Sequence, residues 1–81
     1  MHSDFNGELL ILGTLKKWGI LSEKQISERS TLSHRRISMA LRRLEQDRLV
    51  KEVESGRSLK TYRITGSGMD HLDRVKQRND F

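Results

Sequence analysis

The stretch LSHRRISMALRRLEQDRLV, residues 32–50, sets five arginines among isoleucine, methionine, alanine and leucine. At about 100° per residue, Ile37, Ala40, Leu41 and Leu44 fall on one side of a helix. Arg35, Ser38, Met39 and Arg42 fall on the opposite side at i, i+3, i+4 and i+7, and Arg36 and Arg43 flank that row. Ser33 suits the N-cap, and Leu32 can staple onto Ile37. The spacing predicts a helix over 34–47, anchored by its apolar underside and gathering cations on its solvent side.

Upstream, Ser22-Glu23-Lys24-Gln25 has the S-x-x-Q form of a capping box and opens a short helix to about Arg29, with Ile26 as its inward anchor. The turn Ser30-Thr31-Leu32 joins it to the arginine-rich helix, so the pair reads as a helix-turn-helix over about 22–47. A first helix is expected over about 7–18, with Asn6 as N-cap, Phe5 stapled onto Leu10, and Gly19 closing it. Ile11, Leu12, Leu15 and Trp18 share one face, while Leu9 and Leu10 point elsewhere and Gly13 permits close approach. Such a helix wants burial on two sides. Ile20-Leu21 reads as a stub of strand.

Downstream, Leu49–Glu54 and Leu59–Thr65 read as a hairpin around Ser55-Gly56-Arg57-Ser58. The expected register sets Val53 opposite Leu59, Val50 opposite Tyr62 and Glu52 opposite Lys60, with Arg57 at the tip. It leaves Val53 and Leu59 as an apolar patch. Thr65 starts a last helix, about 66–78, with Met69, Leu72 and Val75 as its stripe. Trp18 and Tyr62 are expected in the core or an interface. The whole is read as a single domain over 1–81, mainly α with a small β-hairpin: a winged helix-turn-helix with a three-helix core, a wing over about 49–65 and a C-terminal helix.

The formal charge is +5, and its placement says more than its size. Residues 1–30 and 64–81 each balance to zero, whereas 31–63 hold nine basic and four acidic residues. A cationic face so confined suggests a polyanion, and nucleic acid is the usual one. A membrane surface is disfavoured, because no basic stretch also carries a large apolar face. With 33% hydrophobic residues in 81 the core must be modest, which favours self-association. The chain has no cysteine, which suits the reducing cytoplasm and leaves no thiolate metal site. His2, His34 and His71 lack metal-ligand spacing, and no nucleophile–base or acid–base pair is legible. No metal, cofactor or enzymatic activity is therefore expected. Thr65-Gly66-Ser67-Gly68 lacks the Walker lysine and reads as a helix-start turn.

An arginine can fork onto guanine O6 and N7, and a methionine can touch a thymine methyl. Arg35, Ser38, Met39 and Arg42 are thus the base-edge candidates. Arg36, Arg43, Arg57 and Lys60 suit phosphates, and Ser33, as cap, would leave backbone N–H groups near one. Arg48 and Lys51 read as plain surface. Leu9, Leu10, Gly13, Met69, Leu72 and Val75 are the candidate dimer interface.

The run LSHRRISMALRRLEQDRLVKE followed by SLKTYRITGSG resembles the winged helix-turn-helix of MarR- and PadR-type transcription regulators, over roughly residues 9–75. The resemblance implies sequence-directed binding of duplex DNA, usually as a homodimer on a two-fold symmetric site. The chain departs from the pattern at Arg48, where a glycine is common. Either a left-handed residue stands there, at a cost of roughly 1 kcal/mol, or the turn differs. It also lacks the extra dimerisation helices of longer members, so no small-molecule ligand is expected. The alternatives from other classes are a winged-helix module that docks protein and an architectural DNA binder without sequence preference.

Overall fold

A computed structural model of the chain describes residues 4–54 and 59–78. Its elements run α1 (Phe5–Trp18), β1 (Leu21–Ser22), α2 (Glu23–Arg29), α3 (His34–Gln46), β2 (Val50–Glu54), β3 (Lys60–Ile64) and α4 (Gly66–Arg78). The sheet is antiparallel in the order β1-β3-β2, with the stub β1 pairing Leu21 to Tyr62. The core joins Ile11, Leu12 and Leu15 of α1 to Ile26 of α2 and to Ile37, Leu41 and Leu44 of α3, all essentially excluded from water. Val50, Tyr62 and Ile64 close it from the sheet, and Leu72 closes it from α4. No described helix is long and apolar enough to cross a membrane.

The helix-turn-helix forms as its caps dictate. Ser22 Oγ accepts the Gln25 N–H at 3.2 Å while Gln25 Oε1 accepts the Ser22 N–H at 3.0 Å, a complete capping box. Ser33 Oγ accepts the Arg36 N–H at 3.3 Å and starts α3. Leu32 is buried beside Ile37 in the same core.

Three expectations give way. The first helix begins earlier: Asp4, not Asn6, is its N-cap, with Oδ1 accepting the Gly7 N–H at 3.1 Å. Asn6 lies inside the helix, and Phe5 and Leu10 are each 47% exposed, so no staple forms. Aspartate caps as well as asparagine, and here its carboxylate also meets Arg36 on α3. Trp18 is outside the core and half-exposed, with the Arg29 guanidinium 4.2 Å above its ring. The hairpin register is displaced by two residues: Val50 faces Ile64, Glu52 faces Tyr62 and Val53 faces Thr61. A shift of two keeps every side chain on its face, so the buried set stands. The Glu52–Lys60 cross-strand pair does not form, and Val53 faces Thr61 in place of Leu59. The observed register stacks two β-branched residues, Val50 and Ile64, over the core. The wing tip with Arg57 lies outside the described residues.

The end of α3 carries the most constrained backbone. The Leu49 N–H donates to the Leu44 carbonyl at 2.9 Å and the Arg48 N–H to the Glu45 carbonyl at 3.0 Å. These are the paired bonds of a Schellman motif, and Arg48 takes its left-handed position with φ 61°. The Thr65 hydroxyl then donates to the Arg48 carbonyl at 2.8 Å and accepts the Gly68 N–H at 3.0 Å. One hydroxyl thus ties the end of α3 to the start of α4. Gly68 makes that joint close: a Cβ there would collide with the Leu49 carbonyl oxygen and sit 2.7 Å from Ile64 Cγ1. Two variants with opposite signs test this corner by urea denaturation. Arg48→Gly should stabilise by about 1 kcal/mol, because glycine takes the left-handed position without the Cβ penalty. Gly68→Ala should destabilise by about 1–3 kcal/mol, since the obstacle is backbone that cannot swing aside.

Candidate nucleic-acid interface

The outward row of α3 stands where the burial of its underside puts it. Arg35, Met39 and Arg42 project to solvent, and Met39 is 65% exposed. Neither Arg35 nor Arg42 forms an ion pair with a described residue. Their guanidinium forks are therefore available to an external acceptor, with a methionine between them.

The two flanks of the same helix are held. On one side, Arg36 forks onto Asp4, Nε to Oδ2 at 2.7 Å and Nη2 to Oδ1 at 2.9 Å. Two turns further on, Arg43 Nε lies 3.6 Å from Glu8 Oε2. On the other side, the Glu23 carboxylate accepts the Ser38 hydroxyl at 3.2 Å and sits 3.6 Å from His34 Nε2. The hydrogen bond from Arg36 holds the Asp4 carboxyl below its usual range, and the same bond raises the Arg36 guanidinium. Burial pushes the Glu8 carboxyl up, against the pull of Arg43. Arg36 and Arg43, expected as phosphate contacts, are thus already paired within the chain. Ser38, expected at the base edge, is half-buried and has committed its single proton to Glu23.

Lys60 is exposed at the start of β3 and, with Arg42, Glu45 and Tyr62, lines a small polar recess of about 180 Å³ between α3 and the sheet. Burial raises the Tyr62 phenol. On the other face of the sheet, Lys51 stands directly opposite Arg63, both exposed. That pairing was hidden from the sequence by the displaced register.

Asp4, Glu8 and Glu23 were missed as partners of α3. Two signals pointed to the first two. Glu8 lies one turn before Ile11 and Leu12 on the face that α1 buries, where a carboxylate needs a cation. Asp4 is as good a cap residue as Asn6. The candidate dimer residues largely converge: Leu9, Leu10, Gly13, Leu72 and Val75 line an open groove of about 730 Å³ between α1 and α4, rimmed by Asn6 and Lys76. Leu72 is its buried floor, while Met69, 42% exposed, lies outside the lining.

No protein-family model and no curated protein matches the chain. Solved structures do. A PadR family transcription regulator from hypervirulent Clostridium difficile R20291 is 27% identical with a TM-score of 0.78, over 89% of this chain and 84% of that one. The YusO protein from Bacillus subtilis is also 27% identical with a TM-score of 0.78, over 85% of this chain and 50% of that one. The transcriptional regulator BldR from Sulfolobus solfataricus reaches a TM-score of 0.80 over 91% of this chain and 55% of its own, and at 23% identity it shows the fold alone. The chain thus spans about half the length of YusO and BldR. Its fold is that of winged helix-turn-helix transcription regulators, of the PadR kind that its sequence resembles.

The Asp4–Arg36 fork makes a prediction about acid. A carboxyl held below its ordinary value of 3.8 stabilises the fold above that pH and loses the contribution as pH falls through its lowered value. Asp4→Asn should therefore be less stable than the parent near neutrality and converge with it in strong acid. Thermal melts across the acid range check this, and curves offset equally at every pH would contradict it.

Proposed function

We propose that the chain binds double-stranded DNA in a sequence-directed manner, as a small transcriptional regulator. The observation that carries the reading is the unpaired row Arg35, Met39 and Arg42 on a helix whose other side is fully buried. A major groove admits a helix, and its base edges present the acceptors and methyls that arginine and methionine read. Ser38 joins this row in a restricted role. With its proton on Glu23 it offers lone pairs only, so it suits an adenine or cytosine amino group. Lys60, Ser33 and the wing's Arg57 take the backbone positions. Arg36 and Arg43 join them only when released from their acidic partners. The similarity to a PadR family regulator supports the regulatory role.

The same reading includes a homodimer, formed through the α1–α4 groove, so that two copies of α3 meet a two-fold symmetric site. The support is the open apolar lining, with Leu10 47% exposed on a helix already packed on its other side. Equilibrium sedimentation should find a dimer at micromolar concentration, and Leu10→Glu should return it to monomer.

A second reading has its own observation. Trp18, at the end of α1, and Ile20, just after it, are each about half-exposed and suit protein docking. Selection of bound duplexes from a random pool separates the readings. A base-reading row predicts a defined, palindromic motif that degrades at particular positions in Arg35→Ala and Met39→Ala, each by about 1–3 kcal/mol per base pair. Binding without a motif would indicate an architectural binder, and no binding at low salt would favour docking.

A further inference from the structure

The acidic partners of α3 are unusual companions for a surface that is to meet phosphates. We propose that Asp4 and Glu8 compete with the DNA backbone for Arg36 and Arg43, and so hold down affinity for DNA of arbitrary sequence while the base-facing row stays free. This inference rests on the DNA-binding reading above.

Three features carry it. The Arg36–Asp4 contact is a two-pronged fork at 2.7 and 2.9 Å, the geometry a phosphate would otherwise take. A phosphate must therefore displace a carboxylate of matching shape, and not merely water. The second arginine repeats the arrangement two turns along α3: Glu8 is buried in α1, its side chain only 12% exposed, and Arg43 is its neighbour at 3.6 Å. Both arginines lie on one flank of α3, whereas Arg35 and Arg42 in the outward row have no acidic partner among the described residues. On this flank two arginines suited to phosphates are masked, while the two arginines suited to base edges are open.

Gly7 is built for this arrangement. The three nearest heavy atoms to a Cβ at residue 7 would all belong to the Asp4 carboxyl group, with Cγ at 2.7 Å. A methyl there forces that flexible side chain outward, away from the Gly7 N–H and from Arg36. Gly7 thus leaves the space into which Asp4 folds, and Gly7→Ala opens the fork without altering any charge.

The test measures binding of the full chain to a mixed-sequence duplex over a range of salt. Asp4→Asn keeps a good N-cap while removing the charge. It should bind several-fold more tightly than the parent, with log K against log salt steeper by about 0.9 for the one phosphate gained. Gly7→Ala should gain in the same direction with net charge unchanged. Arg36→Ala should cost little in the parent and erase the gain in either variant. Asp70→Asn, an equal charge change on the exposed side of α4, should gain less. If the parent binds but Asp4→Asn and Gly7→Ala bind no tighter, or their gain survives Arg36→Ala, the competition is overturned and the DNA-binding reading stands. If no variant binds even at low salt, the DNA-binding reading fails and takes this inference with it.

Discussion

The direction of the α3 surface depends on what lies beneath it. Ile37, Leu41 and Leu44 are almost wholly buried against Ile11, Leu12 and Leu15 of α1 and Ile26 of α2. No rotation of α3 about its axis can occur without exposing one of these side chains, at about 1.5–3 kcal/mol each. A domain of this size has only about 5–15 kcal/mol in total. Apolar packing therefore sets the azimuth of Arg35, Met39 and Arg42 more firmly than any polar contact of their own. The capping box on α2 and the Ser33 cap on α3 then fix where each helix begins, and hence which turn of α3 stands foremost.

Electrostatics supplies a second layer of order on that frame. Asp4 and Glu8 engage one flank of α3 from α1, while Glu23 engages the other from α2. The acids come from two helices that also build the core, so the packing that orients α3 also positions its counter-charges. Of the most basic segment of the chain, Arg36 and Arg43 are thereby paired, while Arg35 and Arg42 stand without an acidic partner among the described residues. The proton of Ser38 is directed as well, and a hydroxyl that would otherwise be ambivalent becomes an acceptor toward solvent.

Much of this was legible in the residues, and the failures have physical causes. The buried stripe of α3 and the capping box at Ser22 were readable because both are local: they depend on helical period and on residues three apart. The left-handed site at Arg48 is one of the two outcomes the sequence allowed where a glycine is usual. The start of α1 was misplaced because Asp4 and Asn6 are equivalent caps locally, and Arg36, 32 residues away, gives Asp4 its second partner. Trp18 shared a helical face with core residues, yet it lies at the end of α1 where the core has run out. The strand register could not be read from the hairpin alone. It answers to the stub β1 and to the Thr65 tie, neither of which is a hairpin property. The acidic partners of α3 were harder to read, being contacts between elements: Asp4 and Glu8 left only local signals, and Glu23 left none.

The missing Cβ at residue 68 governs what motion the molecule permits. Where the start of α4 rests on the Leu49 carbonyl there is no room for sliding, and the Thr65 hydroxyl pins the same spot from the side. Only tilting remains, with the pivot adjoining the last turn of α3. Any movement of α4 would therefore turn about the tie at Thr65, next to the last turn of α3.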